Sequence, residues 1–134
     1  RADGSGLEPV PDAFRIDSGG NLDFWPLLAL LACETDAERG ANRFHGTLND
    51  GLAAWVLRAA EQSGVRRVVL AGGCFLNRHL ATALPDALRR YGLEVLLPRR
   101  LPPGDGGLSL GQGLLARRAW RDQEIADGGL TLCA

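Results

Sequence analysis

Lysine is absent. All 15 basic residues are arginine, and without an ε-amino group the chain can form neither a Schiff base with a carbonyl substrate nor the lysine clamp of a P-loop. Cysteine is sparse and odd in number: Cys33, Cys74 and Cys133 have no C-x-x-C spacing, which argues against a disulfide framework and a structural zinc site. A reducing cytoplasm is the expected setting. No apolar run approaches the ~20 residues needed to cross a bilayer, and the opening Arg1-Ala2-Asp3-Gly4-Ser5-Gly6 does not read as a signal peptide. An excess of one charge is also lacking. The formal net charge of −1 offers no cationic face, so neither nucleic acid nor a membrane surface is expected as a partner. Histidine is limited to His45 and His79, neither followed by a second ligand one helical turn on. Ser18 and Ser109 have no neighbouring His and Asp, so no hydrolase triad can be argued.

What remains is an ordinary globular composition, 46% apolar and 23% charged over 134 residues, enough for one domain with its own core. Residues 1–12, rich in Gly, Pro and acids, read as a linker, residues 13–121 as the folded lobe and residues 122–134 as a tail without periodicity. The chain begins without Met, as a piece of a longer polypeptide would, and processing would explain the same start. A short edge strand is expected at Phe14–Asp17, before the turn Ser18-Gly19-Gly20-Asn21. A helix over about residues 24–34 has Asp23 placed as its cap and Pro26 in its first turn. From Ala37 to Ser63, Phe44, Leu48, Leu52, Trp55, Val56, Ala59 and Ala60 recur at helical spacing, and Gly64 ends the helix. Strands at 66–71 and 93–97 flank a helix over 77–91 in which Pro85 demands a kink or a restart. Strand, helix, strand with a crossover of this length predicts a parallel βαβ unit. A last helix is expected near 106–121, with Leu108, Leu110, Leu114 and Leu115 as its apolar members. Gly111 and Gly113 are unfavourable inside it, by roughly 1 kcal/mol each relative to Ala, so something should pack closely there.

Two glycine-bearing turns carry the chemistry. Gly72-Gly73 follows the apolar run Val68-Val69-Leu70 and precedes a helix, the arrangement in which bare backbone N–H groups and a helix N-terminus hold phosphate. A ligand-free βα turn is the alternative. Asn77 should lie about one turn into the helix, facing ligand or solvent. In Pro102-Pro103-Gly104-Asp105-Gly106-Gly107, Asp105 is either the N-cap of the last helix or a metal ligand bared by flanking glycines. Cys74 is the one nucleophile candidate beside the glycine turn, against a bland reading as a small side chain in a crowded turn. His45 and His79, one on each of two helices, read as hydrogen-bonding rather than ligating residues.

These residues resemble the C-terminal part of the hydrogenase-maturation carbamoyltransferases, the HypF family. The resemblance spans about residues 14 to 120. It rests on Leu22-Asp23-Phe24-Trp25-Pro26-Leu27-Leu28, on Arg43-Phe44-His45-Gly46-Thr47-Leu48, on Leu70-Ala71-Gly72-Gly73-Cys74-Phe75-Leu76-Asn77-Arg78, and on the string from Leu101 through Asp105 to Gln112. It implies an α/β fold, one ribonuclease-H-like lobe of an actin-like ATPase fold, with few strands and four or five helices. It also implies that Gly72 and Gly73 contact the phosphates of ATP or carbamoyl adenylate, with Asn77 nearby. Asp105 would ligate a divalent metal, whether iron, zinc or magnesium, and the family's other ligands form a His-x-x-x-His pair on the N-terminal lobe, which this chain lacks. The implied reaction uses carbamoyl phosphate and ATP to carbamoylate the C-terminal cysteine thiol of a partner, HypE. One lobe alone is expected to be inactive, and its exposed cleft face to favour a homodimer. Two other functions stay open: O-carbamoyl transfer to a small hydroxyl-bearing molecule, and a non-catalytic interaction module.

Overall fold

The computed structural model describes residues 6–126, so Cys133, the first residues of the expected linker and the end of the expected tail lie outside the described residues. The order of elements is β1 (Arg15–Ile16), β2 (Leu22–Asp23), α1 (Trp25–Leu31), α2 (Ala37–Ser63), β3 (Arg67–Val69), α3 (Arg78–Arg90), β4 (Glu94–Leu96) and α4 (Leu108–Ala126), with 3-10 turns at Gly73–Leu76 and Asp105–Gly107. The class is mixed α/β, as expected.

β1 and β2 form a small antiparallel hairpin. The expectation had only its first strand, because two residues are too few to show alternation. Its turn is closed by Asp17, whose carboxylate accepts from the Asn21 backbone N–H and from its side-chain amide, both at 2.8 Å. The Asp23 carboxylate accepts from the Trp25 N–H at 2.7 Å, at the start of α1, and Leu27 of that helix is fully buried.

Glu34 lies between α1 and α2, and its carboxylate, 6% exposed, is paired with Arg39 and Arg43. It accepts from Arg39 Nε and Nη2 at 2.9 and 2.8 Å, from Arg43 Nη1 at 2.9 Å, and from the Thr35 and Asp36 N–H groups at 3.0 and 3.1 Å. These donors, Arg39 foremost, hold the carboxyl down from its ordinary 4.5 to about 2. A group whose folded pKa is lowered stabilises the fold above its unfolded value, and that contribution is lost as pH falls through the folded one. Glu34→Gln is therefore expected to melt below the unsubstituted chain at neutral pH, and thermal scans should show the gap closing between pH 4.5 and about 2.

α2 begins at the N-cap Asp36 and ends at Gly64 in the left-handed conformation, φ 70°. The expected span was Ala37 to Ser63, and the observed one is the same. Residues read as a linker are docked along its first half. Val10 N–H donates to the fully buried Thr47 Oγ1 at 2.9 Å, and Glu8 N–H to the Asn42 carbonyl at 3.3 Å.

The core is built by the predicted βαβ unit. β3 and β4 pair in parallel, Arg67 with Glu94, Val68 with Val95 and Val69 with Leu96. α3 covers them with Leu80, Leu84 and Leu88, which share one face at four-residue steps. They pack with Ala53, Leu70, Leu93 and Val95 in one buried cluster. α3 runs unbroken from Arg78 to Arg90, with Pro85 in its interior and buried, so the helix does not restart at the proline.

α4 departs from expectation. Leu108, Leu110, Leu114 and Leu115 are 61, 58, 52 and 66% exposed, and nothing lies within 4 Å of a Cβ built on Gly111 or Gly113. Among the described residues no element covers this helix, and it extends past the expected end at Arg121 to Ala126. No helix of the described residues is long and apolar enough to cross a membrane.

Candidate functional site

The site grows from the carboxyl ends of β3 and β4, where parallel strands of an open sheet deliver their loops to one edge. Leu70 N–H still donates to the Leu96 carbonyl at 3.0 Å. The chain then turns at Gly72, φ 117° and ψ 159°, a backbone region that is essentially glycine's alone. Gly72 N–H donates to the Pro103 carbonyl at 2.6 Å, so the first turn is tied to the second loop by its own backbone.

The two loops also touch directly. A Cβ on Gly104 would lie 3.3 Å from Gly73 Cα and 3.5 Å from its nitrogen, so a side chain there would crowd the first turn by a few tenths of an ångström. The two turns singled out from the sequence are thus brought together. Around Gly72 and Gly73 nothing lies within 4 Å of an added Cβ, which leaves that face of the turn open.

The turn continues as the 3-10 segment Gly73–Leu76 rather than entering α3 at once. The N–H groups of Gly73 and Cys74 head it, the positions that a 3-10 turn leaves without an internal acceptor. Cys74 is exposed and unbridged. Asn77 is the N-cap of α3, not a residue within it. Its Oδ1 accepts from the His79 and Leu80 N–H groups at 2.9 and 3.3 Å, and its Nδ2 donates to His45 Nε2 at 2.9 Å. One amide hydrogen remains for anything else.

His45 was given no partner by sequence reasoning. It sits on α2 with ring neighbours Phe44 and His79, centroids 5.2 Å away in each case. Asn49, one turn on, is buried, donates its amide to the His45 carbonyl at 2.9 Å and has an Oδ1 without a hydrogen-bond partner. His45 and Asn77 are 32 residues apart in sequence, and no local signal could have joined them.

Asp105 opens the 3-10 turn Asp105–Gly107, whose N-cap is Gly104. Its carboxylate is exposed and caps nothing. The capping alternative for this residue is therefore not realised. Among the described residues no three His, Cys, Asp or Glu side chains are grouped to hold a metal ion.

Residues 13–112 match the family described as carbamoyltransferase, Kae1-like domain, second subdomain. The chain belongs to the HypF carbamoyltransferase family. It is 53% identical over 103 residues to carbamoyltransferase HypF2 of Cupriavidus necator, covering 77% of this chain and 13% of that protein. It is 51% identical over 120 residues to carbamoyltransferase HypF of Rhizobium leguminosarum bv. viciae, covering 86% of this chain and 15% of the relative. The crystal structure of full-length HypF in its phosphate- and nucleotide-bound form superposes with a TM-score of 0.69 at 26% identity, over 86% of this chain and 16% of that one. The chain thus spans a small part of the curated relatives it matches.

Proposed function

We propose that this chain is the lobe of a HypF-type carbamoyltransferase that holds nucleotide phosphate and contributes one metal ligand, acting with a preceding lobe of the same polypeptide. The observation that carries the reading is the junction of the two loops. Gly72 N–H bonds the Pro103 carbonyl at 2.6 Å and Gly104 rests on Gly73. An uncommitted carboxylate thereby sits one residue from a bare glycine turn's neighbour.

The chemistry follows from these parts. Of the expected pair, Gly72 has its N–H committed to the Pro103 carbonyl, so the donors for phosphate oxygens of ATP or of carbamoyl adenylate are the backbone N–H groups of Gly73 and Cys74. They cost no reorganisation when charge develops on the leaving phosphate. Asn77 holds the far end of the turn and has one amide hydrogen left for the ligand. Asp105 would be an oxygen ligand to a divalent ion. Such an ion, completed by ligands from the other lobe, supplies Lewis-acid polarisation of the carbamoyl oxygen. In the transfer itself a thiolate on the acceptor attacks the carbamoyl carbon, the S–C bond forms, and the bond from that carbon to the AMP phosphate oxygen breaks. The acceptor in this reading is the C-terminal cysteine of a HypE-like protein, which explains why the chain needs no nucleophile of its own.

The test is intact-mass analysis of a HypE-like acceptor after incubation with carbamoyl phosphate, ATP and the full polypeptide containing this chain. A gain of one carbamoyl group, lost when the acceptor's terminal cysteine is removed, is the expected result. No gain, from a folded polypeptide that still forms carbamoyl adenylate, would overturn the protein acceptor and point to a small hydroxyl-bearing molecule instead.

A further inference from the structure

The feature left over is the polar link between α2 and the glycine turn. His45 Nδ1 lies 2.9 Å from the Ala41 carbonyl and Nε2 lies 2.9 Å from Asn77 Nδ2. A carbonyl only accepts, so Nδ1 carries the hydrogen, and in that tautomer Nε2 is an acceptor. The other half of the link agrees. Asn77 Oδ1 is occupied by two N–H donors from the first turn of α3, which fixes the amide with its NH₂ group toward the imidazole. If the amide were reversed, α3 would lose its cap, and Nδ2 would face two N–H groups.

We infer that His45 is a positioning residue for the nucleotide site: as a hydrogen-bond acceptor it orients Asn77 and so sets the end of the Gly72–Asn77 turn against α2. The inference rests on the phosphate-binding reading of that turn. β3 anchors the start of the turn and the Pro103 carbonyl holds Gly72. The segment from Gly73 to Leu76 is mostly exposed and contributes no buried residue. Phe75 packs against the core and Asn77 N–H donates to the Cys74 carbonyl, while the Asn77 side chain is fixed by two things, the α3 cap and His45. Donor groups that bind a phosphate well are those already held in place. The ring also packs on Phe44 and His79, so shape and hydrogen bonding at position 45 need separate variants.

His45→Phe keeps a ring between those neighbours and removes the acceptor. His45→Gln removes the ring and returns an acceptor at about the reach of Nε2. The polypeptide containing this chain and its preceding lobe is titrated with ATP by calorimetry, with melting temperatures measured in parallel. His45→Phe is expected to weaken ATP binding about fivefold to tenfold, the worth of one hydrogen bond, and His45→Gln to stay within about twofold of the unsubstituted protein. Binding that follows the ring instead, retained by Phe and lost by Gln, overturns the inference, and so does equal binding by all three. In the chain itself, ¹⁵N spectra in mildly alkaline buffer should show Nε2 as the unprotonated nitrogen of His45, with the Asn77 amide resonances displaced in His45→Phe. A protonated Nε2 refutes the link regardless of nucleotide. If the unsubstituted two-lobe protein binds no ATP, the phosphate reading of the turn fails, and the spectra still decide whether the link exists.

Discussion

Gly72→Ala is expected to destabilise the chain by about 1–3 kcal/mol, the strain of placing a side chain in this backbone region. The residue has φ 117° and ψ 159°, and its N–H makes the 2.6 Å bond to Pro103 that joins the two loops. Relief of the strain requires the turn to rotate, which breaks that bond. Urea denaturation reads the loss as a lower midpoint with an unchanged slope. Gly73→Ala is the control that separates folding from binding. Its φ is not positive and its Cβ would meet nothing within 4 Å, so stability should change by less than about 0.5 kcal/mol. The new methyl group would stand on the open face of the turn, where a phosphate must approach. ATP binding by the two-lobe polypeptide is therefore expected to fall for both variants, but urea stability only for Gly72→Ala. Undiminished ATP binding by a folded Gly73→Ala variant would remove the phosphate from this face.

Asp105→Ala is expected to abolish carbamoyl transfer by the full polypeptide while leaving the fold intact. Loss of a ligand from a metal that stabilises developing charge by several kcal/mol corresponds to a rate loss on the order of a hundredfold or more. The carboxylate is exposed and caps no helix, so the melting temperature of the chain should not move. A capping Asp would show the reverse, a drop of about 1 kcal/mol in stability with transfer preserved. Transfer is measured by acceptor mass, and stability by thermal scan.

Much of the architecture was legible because its signals are local. The Gly64 stop and the apolar positions of α2 lie within one element. So does the four-residue spacing of Leu80, Leu84 and Leu88 in the βαβ unit. β2 was missed because two residues cannot display a period. The burial expected on α4 was not met. Periodicity reports that a face is apolar, whereas burial requires a second surface, and none of the described residues provides one for Leu110 or Leu114. The loop following β3 illustrates the same division. Two glycines after a strand announce a turn, but they do not show that its far end, Asn77, is bonded to His45 across 32 residues.

Residue order by itself thus determined the α/β class, the limits of α2, the parallel crossover and the identity of the two glycine loops. These depend on propensity, spacing and backbone freedom over a few neighbours. The tertiary structure alone decided that the loops meet through Gly72, Pro103 and Gly104, and that His45 holds Asn77. Each of those is a contact between segments distant in the chain, and it exists only once packing has brought their backbones within reach.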